Sequence, residues 1–114
     1  MAALSGMVDR HIVAITPDAS VKSARQLAHS SRVSMLPVIS DSKLIGILEV
    51  SKLSQQDDSK AVSSVMLKPV FVEEGGSLED ARKLIIEQGL SRLPVVESAE
   101  SMRCVGTISS SDLI

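Results

Sequence analysis

Aromatic residues are almost missing from this chain. Its 114 residues include no Trp, no Tyr and a single Phe, Phe71. Proteins that hold single-stranded nucleic acid stack bases on aromatic rings, so that mode of recognition is disfavoured. A basic face is missing too, because 12 Lys and Arg are scattered among 14 Asp and Glu, for a formal net charge of −2. A phosphate-backbone binder concentrates its cations on one surface, so DNA and RNA are disfavoured on charge as well. The one cysteine, Cys104, has no partner for an internal disulfide and sits in an apolar stretch, where a small buried side chain is expected. No run approaches about 18 consecutive apolar residues, and the N-terminus lacks a basic segment followed by an apolar one. These absences predict a soluble, cytoplasmic protein without nucleic-acid or membrane partners.

Enzyme signatures are absent as well. There is no phosphate-binding Gly-x-x-x-x-Gly-Lys-Ser/Thr loop, no Gly-x-Gly-x-x-Gly fingerprint and no His-Glu-x-x-His pair. His11 and His29 fall in different elements with no Cys or His at ligand spacing, so no zinc site is expected. Ser109 has no evident base partner, which argues against nucleophilic catalysis.

What the chain does have is aliphatic material, 44% apolar residues dominated by Val, Leu and Ile, and it says nearly the same thing twice. Ser20-Val-Lys-Ser-Ala-Arg-Gln-Leu27 is echoed by Ser77-Leu-Glu-Asp-Ala-Arg-Lys-Leu84, and Ser34-Met-Leu-Pro-Val38 by Ser91-Arg-Leu-Pro-Val95. Each echo lies 57 residues after its first copy, Ser77 from Ser20 and Pro94 from Pro37. Leu44-Ile-Gly-Ile-Leu48 meets Cys104-Val-Gly-Thr-Ile108 at 60 residues, which puts a three-residue insertion between them. A unit of about 50 residues cannot bury its apolar face alone, so two copies are expected to pack together with clefts between them.

Read for local structure, each copy is β-α-β-β-α. In the first, His11 to Ile15 reads as a strand, and Thr16-Pro17-Asp18-Ala19 as a turn. A helix runs from Ser20, its N-cap, to about Ser30, with Val21, Ala24, Leu27 and Ala28 as its apolar stripe. Met35 to Ser40 and Leu44 to Glu49 form a hairpin around Asp41-Ser42-Lys43, and a short helix starts near Val50. The second copy has a strand over Val70 to Glu73, a Gly75-Gly76 turn and a helix from Ser77 to Gln88. Ser77 and Asp80 read as its capping pair and Gly89 as the residue that ends it. A second hairpin and the start of a last helix follow. The boundaries are repeat 1 at about 7–56, a polar linker at about 54–64 and repeat 2 at about 64–114, within one domain spanning 1–114. The stop at Ile114, a few residues into the last helix, fits either a compact domain end or a piece of a longer protein.

This order of motifs, with Leu-Pro-Val before a hairpin, an apolar-Gly-apolar strand and a Ser-Asp-Leu ending, resembles the cystathionine β-synthase (CBS) domain. Two in tandem resemble a CBS pair, or Bateman module, over about residues 7–114. The resemblance implies an α/β (α+β) fold of β-α-β-β-α repeats packed through their sheets with pseudo-two-fold symmetry. It also implies a non-catalytic regulatory role and an adenosine-containing ligand such as AMP, ADP, ATP, S-adenosylmethionine or NAD. A homodimer, and a fused or partner effector protein, are implied as partners.

Family sites hold ribose with a Gly-x-x-Ser/Thr-x-x-Asp segment, and Gly106-Thr107-Ile108-Ser109-Ser110-Ser111-Asp112 matches it in full. The chemistry is sound, since a ribose diol offers two adjacent O–H donors and one carboxylate can accept both. Ser109 adds a hydroxyl, and the helix start adds free N–H groups for an anion. The alternative is that Ser109 and Asp112 merely cap their helix, as Ser77 and Asp80 do. Arg92 stands where the family often has a phosphate-binding base, and its planar fork suits that task; otherwise it is a surface arginine closing a loop. By the same resemblance the opening of the other copy contributes Val13, Ala14, Thr16, Pro17 and Val21, with Val33, Ser34 and Met35 nearby. Val13, Met35 and Ile108 would flank the base, although each can equally be counted as core.

The copies differ at the places that matter. Lys52 stands in the first copy where Asp112 stands in the second, and having donors only it cannot accept from a diol. Met35 replaces Arg92, and Glu73-Glu74 replaces Thr16-Pro17, which would repel a phosphate. One site per chain is expected, centred on Asp112. With Arg92 as the one clear phosphate ligand, AMP is favoured over ATP.

Overall fold

Ser20 and Ser77 each start a helix in the way the capping pattern demands. In the computed structural model, which describes residues 4–113, α1 spans Val21–Ser31 and the Ser20 hydroxyl accepts from the Ser23 N–H at 3.0 Å. The Ser77 hydroxyl likewise accepts from the Asp80 N–H at 3.1 Å ahead of the second long helix. Ser20→Ala is expected to cost about 1 kcal/mol, read as a lower urea midpoint with an unchanged slope.

The chain divides into two compact units, residues 13–69 and residues 4–12 together with 70–113. Within the first, α1 is followed by β1 (Met35–Ser40), β2 (Lys43–Glu49), a 3₁₀ turn at Val50–Lys52 and α2 (Val62–Val65). β1 and β2 pair antiparallel, with Ser40 opposite Lys43, so the hairpin turns on Asp41 and Ser42. Both take positive φ, 52° and 66°, as a primed two-residue turn requires. The core gathers Val21, Ala24 and Ala28 of α1 against Leu36, Val38 and Leu48 of the hairpin, with Leu53 and Val62 behind.

The second unit holds a 3₁₀ turn at Leu4–Met7, β3 (Val72–Glu73), α3 (Leu78–Gln88), β4 (Arg92–Val96), β5 (Cys104–Ser109) and α4 (Ser110–Leu113). The sheet order is β3-β4-β5, parallel then antiparallel. Ala81, Leu93, Val95, Val96 and Ile108 are fully buried. The three-residue insertion falls in the β4–β5 loop, where Met102 takes φ 54°. Gly89 ends α3 at φ 64°, while its counterpart Arg32 ends α1 at φ 55°, a conformation a side chain adopts at some cost. The second repeat was read to Ile114, which lies outside the described residues.

Three differences from the sequence reading have physical causes. The opening strands are shorter than expected: His11 to Ile15 reduces to one parallel bridge, Ile15 to Val38, and Val70 to Glu73 reduces to the two residues of β3. Ile15 donates to the Pro37 carbonyl at 3.0 Å and accepts from Ile39 at 2.9 Å. The next rung towards the N-terminus would call on the N–H of Pro37, or of Pro94 in the second copy, and proline has none. The helix expected near Val50 is a single 3₁₀ turn. Finally, the polar segment 54–64 is bonded to α1. The Lys60 and Asp58 carbonyls accept from the Val21 and Lys22 N–H groups at 2.8 and 3.1 Å. These are N–H groups that a helix start leaves unpaired. Arg25 completes the attachment, donating to the Leu53 and Gln56 carbonyls at 2.5 and 2.6 Å and pairing with Asp58.

The units are also offset from the sequence repeats, because each last strand pairs with the segment that leads into the other copy. Thr107 of β5 exchanges two backbone bonds with Asp9, at 2.8 and 2.9 Å, and Ile47 of β2 does the same with Leu67, at 2.9 and 3.1 Å. Gly46 and Gly106 make room for those segments. No helix among the described residues is long and apolar enough to cross a membrane.

Candidate functional site

β4 and β5 bring three of the expected residues onto one surface. Arg92 opens β4 opposite Ser109 at the end of β5, and Thr107, two residues back, points to the same face. The Arg92 Nη1 donates to the Thr107 hydroxyl at 2.9 Å. Thr107 is only 5% exposed, so this bond satisfies a hydroxyl that would be costly to bury alone. The other edge of the guanidinium, Nε and Nη2, makes no hydrogen bond or ion pair among the described residues. That is the edge able to grip a phosphate with two parallel bonds.

Ser109 and Asp112 divide the two readings of their segment. The Ser109 hydroxyl accepts from the Ser111 N–H at 3.2 Å and shares a 2.8 Å hydrogen bond with the Ser111 hydroxyl, so it does cap α4. Asp112 does not complete a capping pair. It is exposed, and its carboxylate has no hydrogen bond or ion pair among the described residues. The turn that carries it is held at both ends. Ser110 donates to the Ser91 carbonyl at 2.8 Å, and the Arg82 Nε donates to the Leu113 carbonyl.

In the first unit the equivalent turn is held by the bond from Val50 to the Ser34 carbonyl, at 3.0 Å. There Lys52 pairs with Glu49 at 3.3 Å, and Met35 is buried at 3% exposure. Val13, Ala14, Thr16, Pro17, Val21, Ser34 and Met35 all belong to this unit. Val13 and Ala14 are half-buried, while Thr16 and Ser34 are exposed. The Pro17 carbonyl accepts from the Ser63 N–H at 2.9 Å. Val21, like Ile108 in the other unit, is fully buried and lies in the core. Glu73 and Glu74 are both engaged, Glu73 accepting from the Ala99 N–H at 2.8 Å and Glu74 pairing with Arg10. An open groove of about 820 Å³ lies along the C-terminal half of α1, lined by Ala28, Arg32, Val33 and Val50 among others. Of the residues expected at the site, only Val33 borders it.

Two participants escaped the sequence reading. Asp9 places Oδ2 at 3.9 Å from the Arg92 Nη1, while its Oδ1 accepts from the His11 N–H at 3.0 Å. Nothing in the residues around Asp9 signals this, since the contact depends on where the leading segment docks. Arg82 did carry a signal, since it repeats Arg25 in sequence, and both helix arginines bond carbonyls that follow the last strand of their unit. Cys104 is buried as expected, and burial pushes its thiol above the ordinary value, leaving it protonated and inert near neutrality.

Residues 4–55 and 62–114 each match the family model described as the CBS domain. MJ0188 of Methanocaldococcus jannaschii is 30% identical over 114 residues, covering 97% of this chain and 42% of that protein. The inosine-5′-monophosphate dehydrogenase of Thermoplasma acidophilum is 28% identical over 109 residues, covering 95% of this chain and 22% of the enzyme. The chain thus spans less than half the length of these relatives. Among solved structures, CBSX2 of Arabidopsis thaliana in complex with AMP superposes with a TM-score of 0.85 at 25% identity, covering 99% of this chain and 93% of that one. With both copies matched by one family model and the duplicated β-α-β-β-α order seen in the fold, this chain belongs to the CBS domain family as a tandem pair.

Proposed function

We propose that this CBS pair is a regulatory module that binds an adenosine nucleotide carrying little phosphate, AMP before ATP, on the second repeat. The observation that carries the reading is Asp112, exposed on the third residue of α4 with its carboxylate free among the described residues, whereas its counterpart Lys52 is tied to Glu49. A carboxylate left open to solvent on the helical turn that follows a strand is available to accept both hydroxyls of a ribose. Arg92 adds an unengaged fork edge on the same β4–β5 surface. The similarity to CBSX2, solved with AMP, supports the ligand class. The relatives are longer than this chain, which supports a module whose ligand-dependent change of conformation is passed to an attached or partner effector. A cytoplasmic homodimer is the form in which we expect it to act.

A scaffold that binds no ligand is the second reading, favoured by the Ser109 hydroxyl being spent on capping α4. Melting the protein against AMP, ADP, ATP, NAD and S-adenosylmethionine separates the two. A ligand at about 100 times its Kd adds about 2.7 kcal/mol, a rise of several degrees for a chain this size. A flat response to all five would leave the scaffold.

A further inference from the structure

The Arg92 guanidinium is held by a polar set that the unit of residues 13–69 lacks at the matching positions. Thr107 anchors Nη1 from one side and, through its backbone, pins Asp9 beside it. The His11 N–H takes one oxygen of Asp9, and the other faces Arg92 at 3.9 Å. In the unit formed by residues 13–69, strand register puts Met35 where Arg92 stands, Ile47 where Thr107 stands and Leu67 where Asp9 stands. Three polar residues in one unit are matched by three apolar ones in the other. Arg92 would need only Thr107 to be anchored, so Asp9 supplies something else: a negative charge set beside the cation that would face a ligand's phosphate.

We propose that Asp9 is a charge filter on nucleotide binding, one that offsets Arg92 enough for a single phosphate to be accepted and each further phosphate to be disfavoured. This rests on the adenosine-nucleotide reading above and sharpens it, because it names the residue that separates AMP from ATP. At 3.9 Å the Asp9–Arg92 contact exceeds hydrogen-bond length, so Asp9 leaves the Nε–Nη2 edge open to a first phosphate. Every additional phosphate adds negative charge near a carboxylate that cannot move away, since both its backbone and its Oδ1 are bonded. Repulsion of this kind grows with ligand charge and weakens with salt.

The test is calorimetric titration of the whole chain with adenosine, AMP, ADP and ATP in magnesium-free buffer, for the wild type and Asp9→Asn. The asparagine keeps the side chain's size and the backbone bonds to Thr107, so the unliganded melting temperature should be unchanged. Expected for Asp9→Asn are an unaltered adenosine affinity, AMP tighter by about threefold and ATP tighter by about tenfold. The wild-type preference for AMP over ATP should shrink as salt is raised, and that salt dependence should be weaker in the variant. Equal changes for all four ligands, adenosine included, would mean that Asp9 only shapes the site. An ATP affinity identical in the two proteins would overturn the filter while leaving nucleotide binding intact. Failure of the wild type to bind any of the four would reject the nucleotide reading, and the filter with it.

Discussion

Asp112→Ala is expected to abolish the rise in melting temperature given by a saturating adenosine nucleotide, and Lys52→Ala to leave that rise unchanged. Asp112 has no internal partner among the described residues, so its removal should cost the unliganded fold almost nothing. Its loss would fall on the ligand instead. Two hydrogen bonds to a charged acceptor are worth about 1.5–3 kcal/mol each, enough to weaken a ligand by about a hundredfold or more. A concentration that saturates the wild type would then leave the variant mostly empty. Lys52 is 65% exposed on its side chain and among the described residues bonds only Glu49, so its removal should touch neither stability nor ligand. Paired melting curves with and without AMP decide the matter. Equal loss of response in both variants would reject the assignment of the site to the second repeat.

The second large effect is on folding. A Cβ added at Gly106 would lie 2.4 Å from the Asp9 carbonyl oxygen and 2.5 Å from a Val8 methyl. Backbone cannot swing aside as a side chain can, so Gly106→Ala must push the Val8–Asp9 segment off β5. The two Asp9–Thr107 bonds would break or stretch, at an expected total of about 2–4 kcal/mol, or about 10 °C in melting temperature. Gly46→Ala is the milder control, since its closest approach, 2.7 Å, is to the flexible Met66 Sδ, although the Leu67 carbonyl at 2.9 Å also lies close. Urea titration of both variants gives the comparison. A Gly106→Ala protein as stable as the wild type would show that Val8 and Asp9 are not seated on this strand. Because the same segment carries Asp9, the variant should also discriminate less between AMP and ATP.

The repeat, the two long helices and both hairpins were legible in the residues because each is a local pattern. Ser20 and Ser77 stand at the turn where a hydroxyl can reach a free N–H, and the apolar spacing of Val21, Ala24 and Ala28 allows only one buried face. The matched triplet of differences, Lys52, Met35 and Glu73-Glu74, could also be read from sequence, since it needed only the alignment of one copy on the other. The opening strands were overread. Apolar character says that Ile12 to Ile15 avoids water, whereas a strand also needs a partner with hydrogen-bonding groups in register, and Pro37 withholds one.

By itself, then, the order of residues determined the duplication, the element types and the presence of a carboxylate at 112 in one copy only, because periodicity, capping and donor–acceptor chemistry act over a few neighbouring positions. Tertiary structure alone decided that Asp9 stands beside Arg92 and that Thr107 holds both. Those outcomes depend on groups 15 to 98 positions apart being brought within a few ångströms. The docking of a leading segment against Gly106 sets that proximity, and no local preference encodes it.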